Sequence, residues 1–146
     1  MTEKKKTRVL SVLLVISLAA AVFFGVRAHQ LSRQKDLLEF NTLNSQLCYI
    51  QYVLVTMEEG SLWNTGVSVL GTGPYDIYEV EDRGDNRELV EMVTAISYLV
   101  GGGHPNRTQI IDELKELRVA RDTETMTFTI LEGDAEAITE LCQYPE

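Results

Sequence analysis

The stretch VLSVLLVISLAAAVFFGV, at Val9–Val26, contains no charged residue and no proline, and Lys4, Lys5, Lys6 and Arg8 precede it. As an α-helix it is about 27 Å long at a rise of about 1.5 Å per residue, which is close to the hydrocarbon thickness of a bilayer. The remainder of the chain is too polar to enter a membrane. We therefore predict one transmembrane helix at residues 9–26, a signal-anchor retained in a single-pass protein.

The charges beside this segment predict its orientation. Lysine and arginine favour the cytoplasmic side, so we expect residues 1–8 to form a basic cytoplasmic tip and the rest to lie outside the cell (inner or plasma) membrane. A cleaved signal peptide is the alternative, because Val26-Arg27-Ala28 places modest or small side chains where a signal peptidase cuts. The apolar cores of signal peptides usually run about 7 to 15 residues, and the greater length here favours the anchor.

The chain beyond the basic tip is strongly acidic. Residues 9–146 contain 9 Lys and Arg against 21 Asp and Glu, a formal charge of -12. Such a surface repels phosphate backbones and anionic lipid headgroups, so we expect no nucleic-acid partner and no flat adhesion of the soluble part to the membrane. A cationic protein partner and an ordinary solvated surface are both compatible with this charge.

A helical stalk is predicted over residues 27–58, between the membrane and the core of a domain. No proline or glycine occurs from Arg27 to Glu59, so the span can continue outward as helix. A β-strand at Tyr49–Met57 is the rival to helix there. Six apolar residues of the stalk recur at spacings of three and four, as in a coiled coil: Phe40, Leu43, Leu47, Ile50, Leu54 and Met57. Either a partner helix, in a complex or a homo-oligomer, or the chain's own helices cover this seam.

Residues 59–146 are predicted to form one small acidic α+β extracytoplasmic domain, with about three further helices and a short antiparallel sheet. Runs of β-branched, aromatic or alternating residues predict the strands, at Val67–Leu70, Tyr75–Glu81 and Thr125–Leu131. Apolar faces at helical spacing predict the helices, at Leu89–Val100, Asn106–Ala120 and Ala135–Cys142.

Local signals mark the ends of these helices. Asp85 and Glu88 have the spacing of a capping box, in which the aspartate caps the first helix and the glutamate reaches back. Gly101–Gly103 is expected to end that helix, and Asn106 to cap the next one. The pair Gly133-Asp134 turns the last strand into the last helix.

The two cysteines, Cys48 and Cys142, both lie on the outer side in this topology, where oxidation is possible. They predict either one disulfide, which would join the stalk to the last helix, or two buried thiols that act as small apolar side chains. Their wide separation and the lack of a CxxC pair argue against a redox-active or zinc site.

The sequence shows no catalytic motif. His29 and His104 have no nucleophile motif nearby, and phosphate-binding and dinucleotide motifs are absent, so we predict no enzyme, no cofactor and no catalytic or metal-binding residue. The acidic residues of 76–88 do not follow calcium-loop spacing. Arg83-Gly84-Asp85 spells the integrin-recognition tripeptide, but turn and cap roles explain its last two residues.

Two further features concern the surface. Trp63 lies among turn residues and either anchors a partner or covers the edge of the domain's own core. Asn106-Arg107-Thr108 fits the glycosylation sequon and is expected to face outward, although the capping role also explains Asn106.

These observations favour a non-enzymatic single-pass membrane protein that acts as an interaction or scaffold subunit of an envelope complex, through its stalk and acidic domain. A membrane-anchored inhibitor or immunity protein against a basic toxin or hydrolase is one alternative, because the acidic surface complements such a partner. An extracytoplasmic sensor or accessory subunit is another. It would depend on a partner, since an eight-residue tip is too short to signal alone.

Overall fold

The computed structural model describes residues 3–56, 80–99 and 104–143, with side chains from residue 10 onward except at residue 53. The chain divides into two compact units, Met1–Lys35 and Asp36–Glu146. Several predictions fall on residues outside the described ranges: the strand at Val67–Leu70, residues 75–79 of the strand at Tyr75–Glu81, the surface role of Trp63, the seam residue Met57 and the glycine stop at residues 101–103.

The described part of the first unit is helical. Helix α1 runs Glu3–Tyr49 and begins in this unit. The large apolar side chains between Leu10 and Val26 are 53% to 69% exposed. An 18-residue window of this helix has a mean hydropathy of 2.3 and none of it is buried. Within the described ranges, one helix is therefore long and apolar enough to cross a membrane, a property that signal sequences share.

The second unit is an α+β fold built around the end of α1 and a π-helical turn, Ile50–Leu54. The chain is helical through Tyr49 and π-helical after it, so the rival prediction of a strand there is wrong. Five seam residues lie in the core and are at most 3% exposed: Phe40, Leu43, Leu47, Ile50 and Leu54. This burial is what the self-covering alternative requires.

Three further helices pack on this core in the described part of the chain: α2 at Asn86–Ser97, α3 at Arg107–Glu116 and α4 at Ala135–Leu141. Each buries one face, as the helical spacing predicts. The buried apolar residues of α2 and α3 are Leu89, Val90, Met92, Val93, Ile96, Ile110, Ile111 and Leu114. In α4, Ala135 and Ile138 are buried, and the Asp134 carboxylate accepts from the Ala137 N–H at 2.9 Å, so the second residue of the predicted Gly133-Asp134 turn also caps this helix.

A two-stranded antiparallel sheet joins α3 to α4. Strand β1 runs Arg118–Asp122 and pairs with β2, Thr127–Glu132, with Val119 opposite Ile130 and Arg121 opposite Phe128. Strand β2 confirms the predicted alternating strand, and Phe128 is fully buried. The prediction that helix continues to Ala120 is wrong. Helix α3 ends at Glu116, because the following residues pair with β2 and tertiary pairing overrides a weak local preference.

The turn between the strands is held by a carboxylate. Asp122 accepts from the N–H groups of Glu124, at 2.8 Å, and Thr125, at 3.3 Å. These bonds favour the ionised form, so they hold the pKa of Asp122 below its ordinary value.

Replacing Leu47 by alanine is expected to destabilise the second unit by about 2–5 kcal/mol, because the side chain is fully buried and its removal leaves a cavity. Pulse proteolysis of the full chain in detergent, across a urea series, measures this change. Ser45→Ala is the matched control on the exposed side of the same helix, and its effect should stay below about 0.5 kcal/mol. Equal midpoints for the two variants would contradict the core position of Leu47.

Candidate interaction site

The segment before α2 closes the outer edge of β2. Gly84 forms a parallel bridge with Phe128, and the Asp85 N–H donates to the Phe128 carbonyl at 3.1 Å. Asn86 is 2% exposed, and its Oδ1 accepts from the Phe128 N–H at 2.9 Å while its Nδ2 donates to the Met126 carbonyl at 3.1 Å. The Asn86 side chain and the Asp85 N–H thus form hydrogen bonds to β2 in the place where a third strand would form them.

The predicted capping box at α2 is wrong in its hydrogen bonds. Asp85 occupies the cap position, but its carboxylate makes no cap bond and accepts instead from the Ile130 N–H of β2. Asp85 therefore joins helix α2 to the sheet, whereas the sequence pattern predicts that it only caps the helix.

The Arg83-Gly84-Asp85 tripeptide is integrated into the fold. The Arg83 guanidinium pairs with Asp36, at 3.5 Å, and with Glu81. Gly84 has a φ of +58°, and the carboxylate of Asp85 accepts a hydrogen bond from the Ile130 N–H of the sheet. These roles explain the three residues without an adhesion function.

The outer edge of β1 meets side chains from α1 and the π turn. The Gln51 Nε2 donates to the Leu117 carbonyl at 3.0 Å, and the Arg121 Nη1 donates to the Val119 carbonyl at 3.2 Å. Arg121 also donates to Asn44 and to Gln51. Two carbonyls beside each outer edge of the hairpin are therefore bound within the domain, those of Leu117 and Val119 on one side and Met126 and Phe128 on the other.

Both cysteines are free thiols in the structure, and of the two only Cys142 is fully buried. Cys48 is half-buried on α1, with its Sγ 3.7 Å from Arg121 Nη2. Cys142 is buried after α4, within the core that includes Ile138. Burial raises the pKa of the Cys142 thiol from 9.0 to about 12, because the thiolate loses its hydration.

An open groove of about 480 Å³ lies where the π turn, the end of α3 and the hairpin meet. We name it the hairpin groove. The π turn contributes Gln51 and Tyr52, α3 contributes Lys115, and the strands contribute Arg118 and Leu131. None of these residues was predicted as a site. The one sequence signal near them is a row of three cations, three residues apart, in an otherwise acidic chain: Lys115, Arg118 and Arg121.

Other predicted features take structural roles. Asn106 occupies the cap position of α3, but its side chain makes no cap bond, so the predicted cap is wrong. Its Nδ2, the atom that glycosylation modifies, donates to the Leu141 carbonyl at 3.0 Å. His104 is 7% exposed, and its Nδ1 accepts from the Asn106 N–H. Among the described residues no group of three His, Cys, Asp or Glu side chains is placed to hold a metal ion.

The chain matches no known protein-family model, no curated protein and no solved structure. The hairpin groove and the apolar part of α1 are accordingly interpreted from their own chemistry.

Gly84→Ala is expected to destabilise the second unit by about 1–3 kcal/mol. The residue has positive φ, and an added Cβ would lie 2.7 Å from the Phe128 carbonyl oxygen. Urea-dependent pulse proteolysis of the full chain measures the loss. Gly25→Ala serves as the control, because nothing lies within 4 Å of a Cβ at that position. Unchanged stability in Gly84→Ala would show that this segment does not hold β2.

Thiol labelling separates the two cysteines. At pH 7.5 the folded protein should take up one maleimide-polyethylene glycol label, at Cys48, because Cys142 is buried with its pKa near 12. Cys48→Ser should abolish that label and Cys142→Ser should leave it, while urea should expose both thiols.

The stability that burial of the Cys142 thiol contributes should fall as the pH rises from 9.0 towards 12, because only the unfolded state ionises there. An unreduced sample that takes up no label in urea would contain the disulfide.

Proposed function

We propose that this chain is a single-span membrane protein with a cytoplasmic N-terminal tip and a small acidic domain outside the cell (inner or plasma) membrane. The domain acts as a non-enzymatic interaction module, a scaffold subunit of an envelope complex.

The observation that carries the membrane part is the exposure of the apolar portion of α1. Its large side chains are more than half exposed over Leu10–Val26. Full burial of one such side chain is worth about 1.5–3 kcal/mol, so a row of them in water is very unfavourable and a bilayer would cover them. The cations before residue 9 support the proposed orientation.

The interaction role rests on the second unit. Its polar clusters at Asp85, Asn86 and Arg121 bind the domain's own backbone, which supports a structural role for them. The hairpin groove combines exposed apolar side chains with two cations, a composition suited to contact with another protein. Membership of a complex follows as the proposed use of that surface.

Arginine at Leu14 and Leu18 together is expected to remove the chain from the membrane. Each charge near the centre of a span costs about 2.5–3.5 kcal/mol of insertion free energy. The chain's share in the pellet after alkaline carbonate extraction measures retention. The control places arginine at Leu31 and Leu37, exposed leucines of α1 beyond the apolar stretch, and should leave retention unchanged.

Protease added to cells from which any outer membrane and wall have been removed tests the orientation. It should digest the acidic domain and leave a tag at the N-terminus protected. A shorter product that lacks residues 9–26 and leaves the membrane would support a cleaved signal peptide in place of the anchor.

A further inference from the structure

The hairpin groove has an apolar floor and two exposed apolar side chains. Leu117 and Val119 are at most 9% exposed, whereas Tyr52 is 74% and Leu131 is 63% exposed. A large aromatic and a large aliphatic side chain at the mouth of a groove are the kind of residues that gain most from contact with a partner.

The charge of the groove is opposite to that of its domain. Among the described residues its lining includes Lys115 and Arg118 and no carboxylate, in a chain that carries -12 beyond its basic tip. Arg118 pairs with Glu132 at 2.8 Å and Lys115 with Asp112 at 3.2 Å. Both pairs are exposed, and such pairs are worth at most about 1 kcal/mol, so a carboxylate from a partner can replace either one.

The mode of docking follows from the hairpin edges. Beside β1 the carbonyls of Leu117 and Val119 accept hydrogen bonds from the side chains of Gln51 and Arg121. Along β2 the N–H groups of Phe128 and Ile130 donate to the side chains of Asn86 and Asp85. A partner strand would have to displace these bonds. Side chains of a helix need no free backbone groups, so the groove favours a helix over an added strand.

We propose that the hairpin groove docks an amphipathic helix of a partner protein, which inserts apolar side chains between Tyr52 and Leu131 and places a carboxylate beside Arg118. This inference rests on the proposed interaction role and names the chemistry of the partner. The surrounding acidic surface repels other acidic segments that lack the apolar anchors. The groove therefore attracts the partner helix and discriminates against such segments.

A photo-crosslinker tests the proposal in the full chain, in membranes of the cells that produce it. Benzoylphenylalanine replaces Tyr52 in the groove or, as the control, Tyr98, which is 66% exposed and does not line the groove. Mass spectrometry identifies the crosslinked peptide. We expect the probe at residue 52, and not that at residue 98, to capture a segment of another protein with apolar residues at helical spacing and flanking Asp or Glu.

Charge reversal then tests the carboxylate contact. Arg118→Glu should lower the crosslink yield at residue 52 by at least about fivefold, which is about 1 kcal/mol at about 1.4 kcal/mol per tenfold change, because the partner's carboxylate then meets a like charge. Arg87→Glu is the matched control, because Arg87 also forms an exposed pair with a glutamate, Glu91, at 2.9 Å. Its yield should stay within twofold of the parent.

Several outcomes overturn the proposal. In the crosslinking experiment these are no crosslink at residue 52, or a crosslink to residues 57–79 of the same chain, to a second copy, to lipid or to a basic segment. In the charge-reversal experiment the contradicting outcome is an equal crosslink yield in the two variants. Membrane extraction of the same samples reports the proposed membrane function separately. A chain that stays in the membrane but gives none of the expected crosslinks overturns the groove alone.

Discussion

Burial of one face of α1 and of the π turn after it is the interaction on which the second unit depends. Leu43, Leu47, Ile50 and Leu54 are completely buried, in one core with residues of α2, α3 and α4. The ring of Phe40 stacks on that of Phe128, with centroids 4.7 Å apart, and so brings β2 to the same face. Each later element buries its apolar side here, because a short helix or a lone hairpin is marginal in water by itself.

The polar interactions decide how the hairpin attaches to that core. A two-stranded sheet leaves two edges of backbone groups, and each unpaired group is costly once water is excluded. Asp85 and Asn86 meet one edge, and Gln51 and Arg121 meet the other. The same contacts occupy backbone groups on both edges, so a partner meets side chains there beside those bonds.

Elements that depend on short-range pattern could be predicted from the sequence. The apolar stretch, the amphipathic helices and the alternation around Phe128 are visible within a few turns of chain, and the structure has them. Strand β1 was missed because Arg118–Asp122 has one buried residue, Val119, and so no apolar alternation of its own. Its pairing with β2 and the bonding of Asp85 to Ile130 connect distant parts of the chain, which a local pattern does not encode. The hairpin groove was missed for the same reason, since the π turn, α3 and two strands meet there only after folding.

The position of the domain boundary follows from the same burial. The second unit begins at Asp36, within the segment predicted as a stalk at residues 27–58. A fragment that starts at residue 59 lacks five core side chains, from Phe40 to Leu54. At about 1.5–3 kcal/mol for each, that loss approaches or exceeds the entire stability of about 5–15 kcal/mol of an ordinary domain. The helix that carries the apolar stretch is therefore also an internal element of the domain, and a cut between Phe40 and Leu54 removes side chains from the core.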